Sequence, residues 1–121
     1  MATLYLLGTG AGLSDGSRTT NMLAFSDQQS SLVVDCGGDV VQRMQAANID
    51  LATITALIIT HEHPDHVSGF PLFMEKIWLA GRRHPIPVYG PEAALSQARR
   101  TAAVSRCPPT PRPWKAGVTP K

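Results

Sequence analysis

Residues 61–66 concentrate side chains that can bind a metal ion. They spell His-Glu-His-Pro-Asp-His, so this stretch holds three of the four histidines in the chain. Imidazole and carboxylate groups are suitable ligands for Zn²⁺, Fe²⁺ or Mn²⁺. The alternative is a polar loop whose histidines hydrogen-bond to backbone or water. We favour a metal site, because four potential ligands occupy six positions directly after an apolar segment.

The local backbone is expected to bring these ligands together. In an extended segment alternate side chains face the same way, so His61 and His63 point together. Pro64 disfavours the helical region for His63 and keeps that step extended. Asp65 and His66 follow as the chain turns, and can approach the same space from another side. We therefore expect the four side chains to converge in one cleft at a strand end.

The surrounding sequence alternates between strand and helix patterns. β-Branched and apolar runs predict strands, whereas apolar residues at helical spacing, with proline at a start or glycine at an end, predict helices. The strands are predicted at 3–8, 21–26, 30–38, 52–60 and 86–90, and the helices at 39–47, 71–80 and 91–100. The runs at 30–38 and 52–60 are predicted to be buried strands. This alternation indicates an α/β architecture.

Length and composition limit the kind of protein. A chain of 121 residues, 43% hydrophobic and 17% charged, is typical of one globular domain. Its longest apolar runs are far shorter than the roughly 20 residues that cross a bilayer, so no membrane partner is expected. The N-terminus lacks the basic region of a signal peptide, and two cysteines make no disulfide framework. We predict a cytoplasmic protein.

The composition changes near residue 100. Residues 101–121 contain four basic residues, no acidic residue and five of the ten prolines. Proline removes backbone donors, and the segment has no apolar periodicity that would offer a face to bury. We predict a domain over residues 1–100 and a basic, proline-rich, disordered tail over residues 101–121.

Five sequence segments resemble one protein family. Thr60 and the six residues that follow resemble the T-H-x-H-x-D-H motif of the metallo-β-lactamase superfamily. "LLGTGAG" and "LVVDCGG" resemble its first strand and the strand ending in Asp-x-Gly, and "VSGFPLF" and "PIPVYGP" resemble the helix and strand after the motif. The resemblance covers about residues 3–100 and favours the ribonuclease Z-like branch. The glycines of "GTGAG" lack dinucleotide-loop spacing, so we expect a tight turn near the metal cleft.

The resemblance implies a role for each site residue. His61 and His63 would bind one divalent metal, and Asp65 and His66 a second, with zinc foremost and Fe or Mn as alternatives. A water activated between the metals would attack an ester or amide. Asp65 would also help to orient that nucleophile. Asp35 would hydrogen-bond to the motif loop and fix its geometry; the alternative is a turn residue at the strand end.

The chain departs from the family after its first half. Complete members pack two similar halves as an αββα sandwich, and the second half supplies a further histidine to each metal and a bridging aspartate. No histidine or aspartate follows His84 in this sequence. The resemblance therefore implies the N-terminal half of the sandwich, either as a fragment or frameshifted product of a longer hydrolase or as a short protein completed by self-association.

Two functions follow from this half-fold. The first is a metal-dependent hydrolase acting on phosphodiester or related ester bonds, with a small-molecule ester or RNA as substrate. The alternative is a non-catalytic metal-binding or association module. Because catalytic zinc usually has three protein ligands and each expected metal has two, we predict weak metal binding and poor turnover by an isolated monomer.

Overall fold

The computed structural model describes residues 1–105 and the backbone of residues 114–118. The strands are β1 Thr3–Gly8, β2 Met22–Ser26, β3 Ser31–Val34, β4 Ile54–Ile58, β5 Ile86–Gly90 and β6 Trp114–Val118. The helices are α1 Val40–Ala46, α2 Pro64–Val67, α3 Phe70–Leu79 and α4 Glu92–Ser105, and a 3₁₀ turn covers Leu51–Thr53. In this part of the chain no helix has the length and apolar character to span a bilayer.

The six strands form one mixed sheet in chain order. Strands β1, β2 and β3 pair antiparallel, whereas β3, β4, β5 and β6 pair parallel. Val34 lies opposite Ile58, so the carboxyl ends of β3 and β4 meet at the same edge. The residues that follow these two strands are therefore neighbours, although they lie far apart in sequence.

Local signals explain where the helices begin and end. The Asp39 side chain caps α1 by accepting a hydrogen bond from the backbone N–H of Gln42 at 3.1 Å. Pro71 lies in the first turn of α3, where its missing N–H costs no helical hydrogen bond. Gly81 follows α3 with φ +108°, a conformation that favours glycine. The predicted α3 and α1 are thus observed within one residue of their expected bounds.

The helices cover one face of the sheet. On that face a row of side chains crosses five strands: Tyr5, Ala24, Val33, Leu57 and Val88. All but Tyr5 are fully buried, and they pack in one core with α1, α3 and α4. The predicted buried strands are only half buried: β3 has two buried and two half-buried residues, and β4 has two buried residues among five.

The other face of the sheet is apolar and partly open. Two cross-strand rows form it, Leu4-Phe25-Leu32-Ala56 and Leu6-Leu23-Val34-Ile58-Tyr89. Leu6 is 61% exposed and Phe25 45% exposed. Neither row contains a charged residue. A second apolar layer packed here would remove this surface from water, as sheet-on-sheet packing does in sandwiches.

Structure continues past residue 100. Helix α4 ends at Ser105 rather than near residue 100, and residues 114–118 form β6 beside β5. The prediction that no regular element follows residue 100 was therefore wrong at these positions. The helix continues to Ser105, and the free edge of β5 pairs with β6 as a parallel strand. Residues 106–113 and 119–121, also assigned to the predicted tail, lie outside the described residues. The division of the chain at residue 100 stays a prediction, as does the cytoplasmic location.

Candidate metal centre

The histidine cluster lies just beyond the carboxyl end of β4. His63 has extended backbone angles, φ −63° and ψ 146°, and Pro64 then begins α2. The expected extended step before Pro64 is therefore observed. Helix α2, which the sequence patterns did not predict, carries Asp65 in its first turn and His66 near its end. The chain turns within this short helix, so these residues face back toward the strand end.

The four predicted ligands converge. The ring of His61 lies 4.7 Å from that of His63 and 3.8 Å from that of His66, measured between centroids. Nε2 of His66 is 3.2 Å from Oδ2 of Asp65. The three imidazoles and the carboxylate thus form one cluster, as the sequence predicted. Their role as metal ligands stays a prediction.

Asp35 fixes the motif from the neighbouring strand. Its buried carboxylate accepts hydrogen bonds from the Thr60 backbone N–H at 2.8 Å and the Thr60 hydroxyl at 2.9 Å. Its Oδ2 is 2.8 Å from Nδ1 of His66. In the tautomer whose Nδ1–H donates to Asp35, the lone pair of Nε2 faces Asp65. Asp35 also has φ +65°, so it makes both the predicted hydrogen bonds and the strand-end turn.

Residues distant in sequence support the backbone of the motif. The Thr20 hydroxyl donates to the backbone oxygen of Asp65 at 2.7 Å. A Cβ atom at Gly37 would lie 1.7 Å from that same oxygen, so the close approach requires glycine. A Cβ at Gly12 would lie 3.3 Å from Asp65 Oδ2, so the glycine-rich segment lies beside the cluster. Sequence reasoning missed Thr20, and the "DCGG" glycine pair was the available signal for Gly37.

The chemical types of the ligands suit a divalent metal, but the number of ligands available to each ion is too small. Neutral imidazole and carboxylate bind zinc and related metals, and Asp35 supplies the outer hydrogen bond common in such sites. Within residues 1–105, however, no three His, Cys, Asp or Glu side chains are arranged to hold one ion. The division into two pairs, His61 with His63 and Asp65 with His66, stays a prediction, and the shorter of the two ring distances, 3.8 Å, joins His61 to His66 across those pairs. Neither pair reaches the three ligands of a catalytic zinc site.

Cys36 is not a further ligand in this arrangement. Its side chain is fully buried. Burial raises the pKa of the Cys36 thiol, and the negative charge of Asp35 raises it further. The thiol therefore stays protonated and behaves as a small apolar core residue.

The chain is similar to known proteins over most of its length. Residues 2–97 match the family model described as anti-Pycsar protein Apyc1. The chain is 29% identical over 92 residues to ribonuclease Z of Methanosarcina mazei, which covers 76% of this chain and 30% of the relative. Its structure resembles human tRNase Z, short form, with TM-score 0.81 and 25% identity, over 99% of this chain and 46% of that one.

A second solved structure supports the same fold. The metallo-β-lactamase fold protein YhfI from Bacillus subtilis has TM-score 0.75 and 21% identity, over 98% of this chain and 46% of that one. The predicted resemblance to the ribonuclease Z-like branch is therefore confirmed, as is the fold class, the N-terminal half of the metallo-β-lactamase sandwich. The chain spans about a third of the length of the curated relatives it matches.

Proposed function

The chain belongs to the family of the anti-Pycsar protein Apyc1, and from that premise we propose that its histidine cluster is the metal-binding part of a hydrolase. The substrates we propose are phosphodiester or related esters, either a small molecule or RNA. The observation that carries the proposal is the convergence of His61, His63, Asp65 and His66, with Asp35 bonded to His66 from the next strand. The ribonuclease Z relatives support the choice of phosphodiester.

Each residue of the cluster has its own proposed role. His61 and His63 would hold one divalent ion, and Asp65 and His66 the other, with zinc as the first choice. A metal bound here supplies a Lewis acid and lowers the pKa of a water ligand. Oδ2 of Asp65 lies 3.2 Å from Nε2 of His66, and the Asp65 carboxylate would help to orient an attacking water. In the tautomer that carries the His66 proton on Nδ1, that N–H donates to Asp35, and Nε2, which faces Asp65, can act as a metal ligand.

The test is metal-dependent hydrolysis of bis(p-nitrophenyl) phosphate by the purified chain. We expect turnover to require added Zn²⁺, Mn²⁺ or Fe²⁺ and to be lost in His63→Ala. His84→Ala is the matched control, because His84 is an exposed histidine outside the cluster. Equal turnover by the wild type and His63→Ala would contradict the proposal.

A non-catalytic metal-binding or association module is the second candidate. The observation that favours it is the pairing of ligands, since no three-ligand group exists among the described side chains. Stoichiometric metal binding that is lost in His63→Ala, without turnover under any metal, would select this function over the hydrolase.

Association is part of the same proposal. The uncharged apolar sheet face, with Leu6 and Phe25 exposed, supports self-association or pairing with a complementary second half. We expect a monomeric fraction, identified by light scattering, to bind metal weakly and to hydrolyse poorly. Two tightly held metals and sustained turnover in that fraction would refute this part.

A further inference from the structure

A cavity of about 1050 Å³ lies at the end of β4 opposite the histidine cluster. Its wall includes Ile54 and Thr55, the first residues of β4, whereas the cluster follows the last residue of that strand. At about 3.3 Å per residue these two ends are more than roughly 10 Å apart. The cavity is large enough for a small organic ligand. It is therefore a separate candidate site.

Arg82 is a partly buried cation on the wall of this cavity. Its Nη1 donates to the Ile54 backbone oxygen at 2.6 Å, and its Nε donates to the His84 backbone oxygen at 2.9 Å. These bonds use two of the five N–H donors of a guanidinium. Burial lowers the pKa of Arg82, since desolvation disfavours its charge. Among the described residues, the remaining donors of Arg82 have no charged partner.

Arg83 presents a second guanidinium at the same cavity. Its Nη1 donates to the backbone oxygens of Trp78 at 2.8 Å and Arg82 at 2.9 Å. Its Cζ lies 4.4 Å from the centre of the Trp78 ring, a cation–π contact that limits its motion. Nε and Nη2 take part in neither bond. Arg83 is therefore positioned in advance, with donors left for a ligand.

The charge of this pair is not balanced within the described chain. Arg18, Lys76 and Arg99 each form an ion pair with an acid, but Arg82 and Arg83 do not. The acid on the cavity wall is Asp50, whose side chain accepts a hydrogen bond from the Ala52 backbone N–H at 3.0 Å and caps the 3₁₀ turn.

The rest of the cavity wall combines apolar and polar residues. Its larger apolar residues are Ile49, Leu51, Ile77, Pro85 and Pro87, and its uncharged polar residues are Gln45, Asn48 and Thr55. We propose that the cavity binds an organic phosphate monoester, with the phosphate on Arg82 and Arg83 and an apolar or aromatic body against this wall. Two guanidinium groups suit the oxygens of a phosphate, which accept paired N–H donors. This inference does not depend on the proposed hydrolase.

The test is a titration of the metal-free full chain with phenyl phosphate, followed by the amide resonances in NMR spectra. The protein is treated with chelator and dialysed, so that binding at the histidine cluster through a metal is absent. We expect shifts at residues 52–55 and 82–84 and about tenfold weaker binding in Arg83→Gln, the effect of losing one charged hydrogen-bonding partner. Arg83→Lys keeps the charge but loses the planar group, so its affinity for phenyl phosphate should lie between those of the wild type and Arg83→Gln.

Controls separate the two halves of the proposal. Arg99→Gln removes an exposed arginine of α4 that pairs with Glu92, and should leave the affinity unchanged. Inorganic phosphate and phenol should each bind more weakly than phenyl phosphate. Equal affinity for inorganic phosphate would overturn the role of the apolar wall. Unchanged affinity in both Arg83 variants, or shifts confined to residues 60–66, would overturn the site itself.

Discussion

Replacing Asp35 by asparagine would test how the histidine cluster is held. Asparagine has nearly the same shape and tolerates the positive φ of this position, so the change isolates the side-chain hydrogen bonds. One carboxylate oxygen becomes an NH₂ group. If that group faces His66, Nδ1 must accept rather than donate, and the ring proton moves to Nε2. The nitrogen aimed at Asp65 would then no longer be available as a ligand.

The size of the effect follows from the bonds that are lost. Asp35 is 4% exposed, and its bond to His66 is 2.8 Å long. A hydrogen bond to a charged group is worth about 1.5–3 kcal/mol, so we expect the free energy of unfolding to fall by about 2 kcal/mol. Changing a residue that orients a metal ligand typically weakens metal binding by roughly 10- to 100-fold.

Two measurements and one control complete this experiment. Urea denaturation of the metal-free protein gives the free energy of unfolding, and competition with a chromophoric chelator gives the zinc affinity. Asp27→Asn is the control, because exposed Asp27 accepts backbone hydrogen bonds that asparagine can also accept. A stability loss below about 0.5 kcal/mol, together with unchanged zinc affinity, would refute the role given to Asp35.

Three further predictions concern the packing around the site. Gly37→Ala should destabilise the fold by about 1–3 kcal/mol or more, because its Cβ would overlap a backbone oxygen of the motif. As a control, Gly16→Ala should leave the melting temperature nearly unchanged, since a Cβ there meets nothing within 4 Å. The pKa of Asp39 lies below its ordinary value of 3.8. Burial raises this pKa, but hydrogen bonds from Lys76 and from a backbone amide lower it by more. The ion pair of Asp39 with Lys76 therefore stabilises the fold above pH 3.8, and this stabilisation is lost as the pH falls through the folded-state pKa. Lys76→Met should lower the free energy of unfolding by at most about 1 kcal/mol at pH 7 and should not change it in strong acid, as measured by urea denaturation. Iodoacetamide followed by peptide mapping should leave Cys36 unmodified in the native chain and modify it in urea; rapid native labelling would contradict its burial.

The sequence by itself determined the elements and ligands that depend on local chemistry. The histidine cluster, the extended step before Pro64 and the alternation of strands with helices all follow from spacings of a few residues. The motif also indicated the family, and the observed convergence of His61, His63, Asp65 and His66 agrees with that local reasoning. The extent of α4 was missed because proline content beyond residue 105 lowered the expectation for the residues before it.

Only the tertiary structure decided which distant residues support the site. The parallel register that places Val34 beside Ile58 brings Asp35 to Thr60 and His66, and the approach of β2 brings Thr20 to Asp65. The same is true of the cavity beside Arg82, whose guanidinium bonds to a strand 28 residues earlier. These contacts depend on strand order, register and helix packing, which are set by the burial of the whole core, so no local spacing in the sequence specifies them.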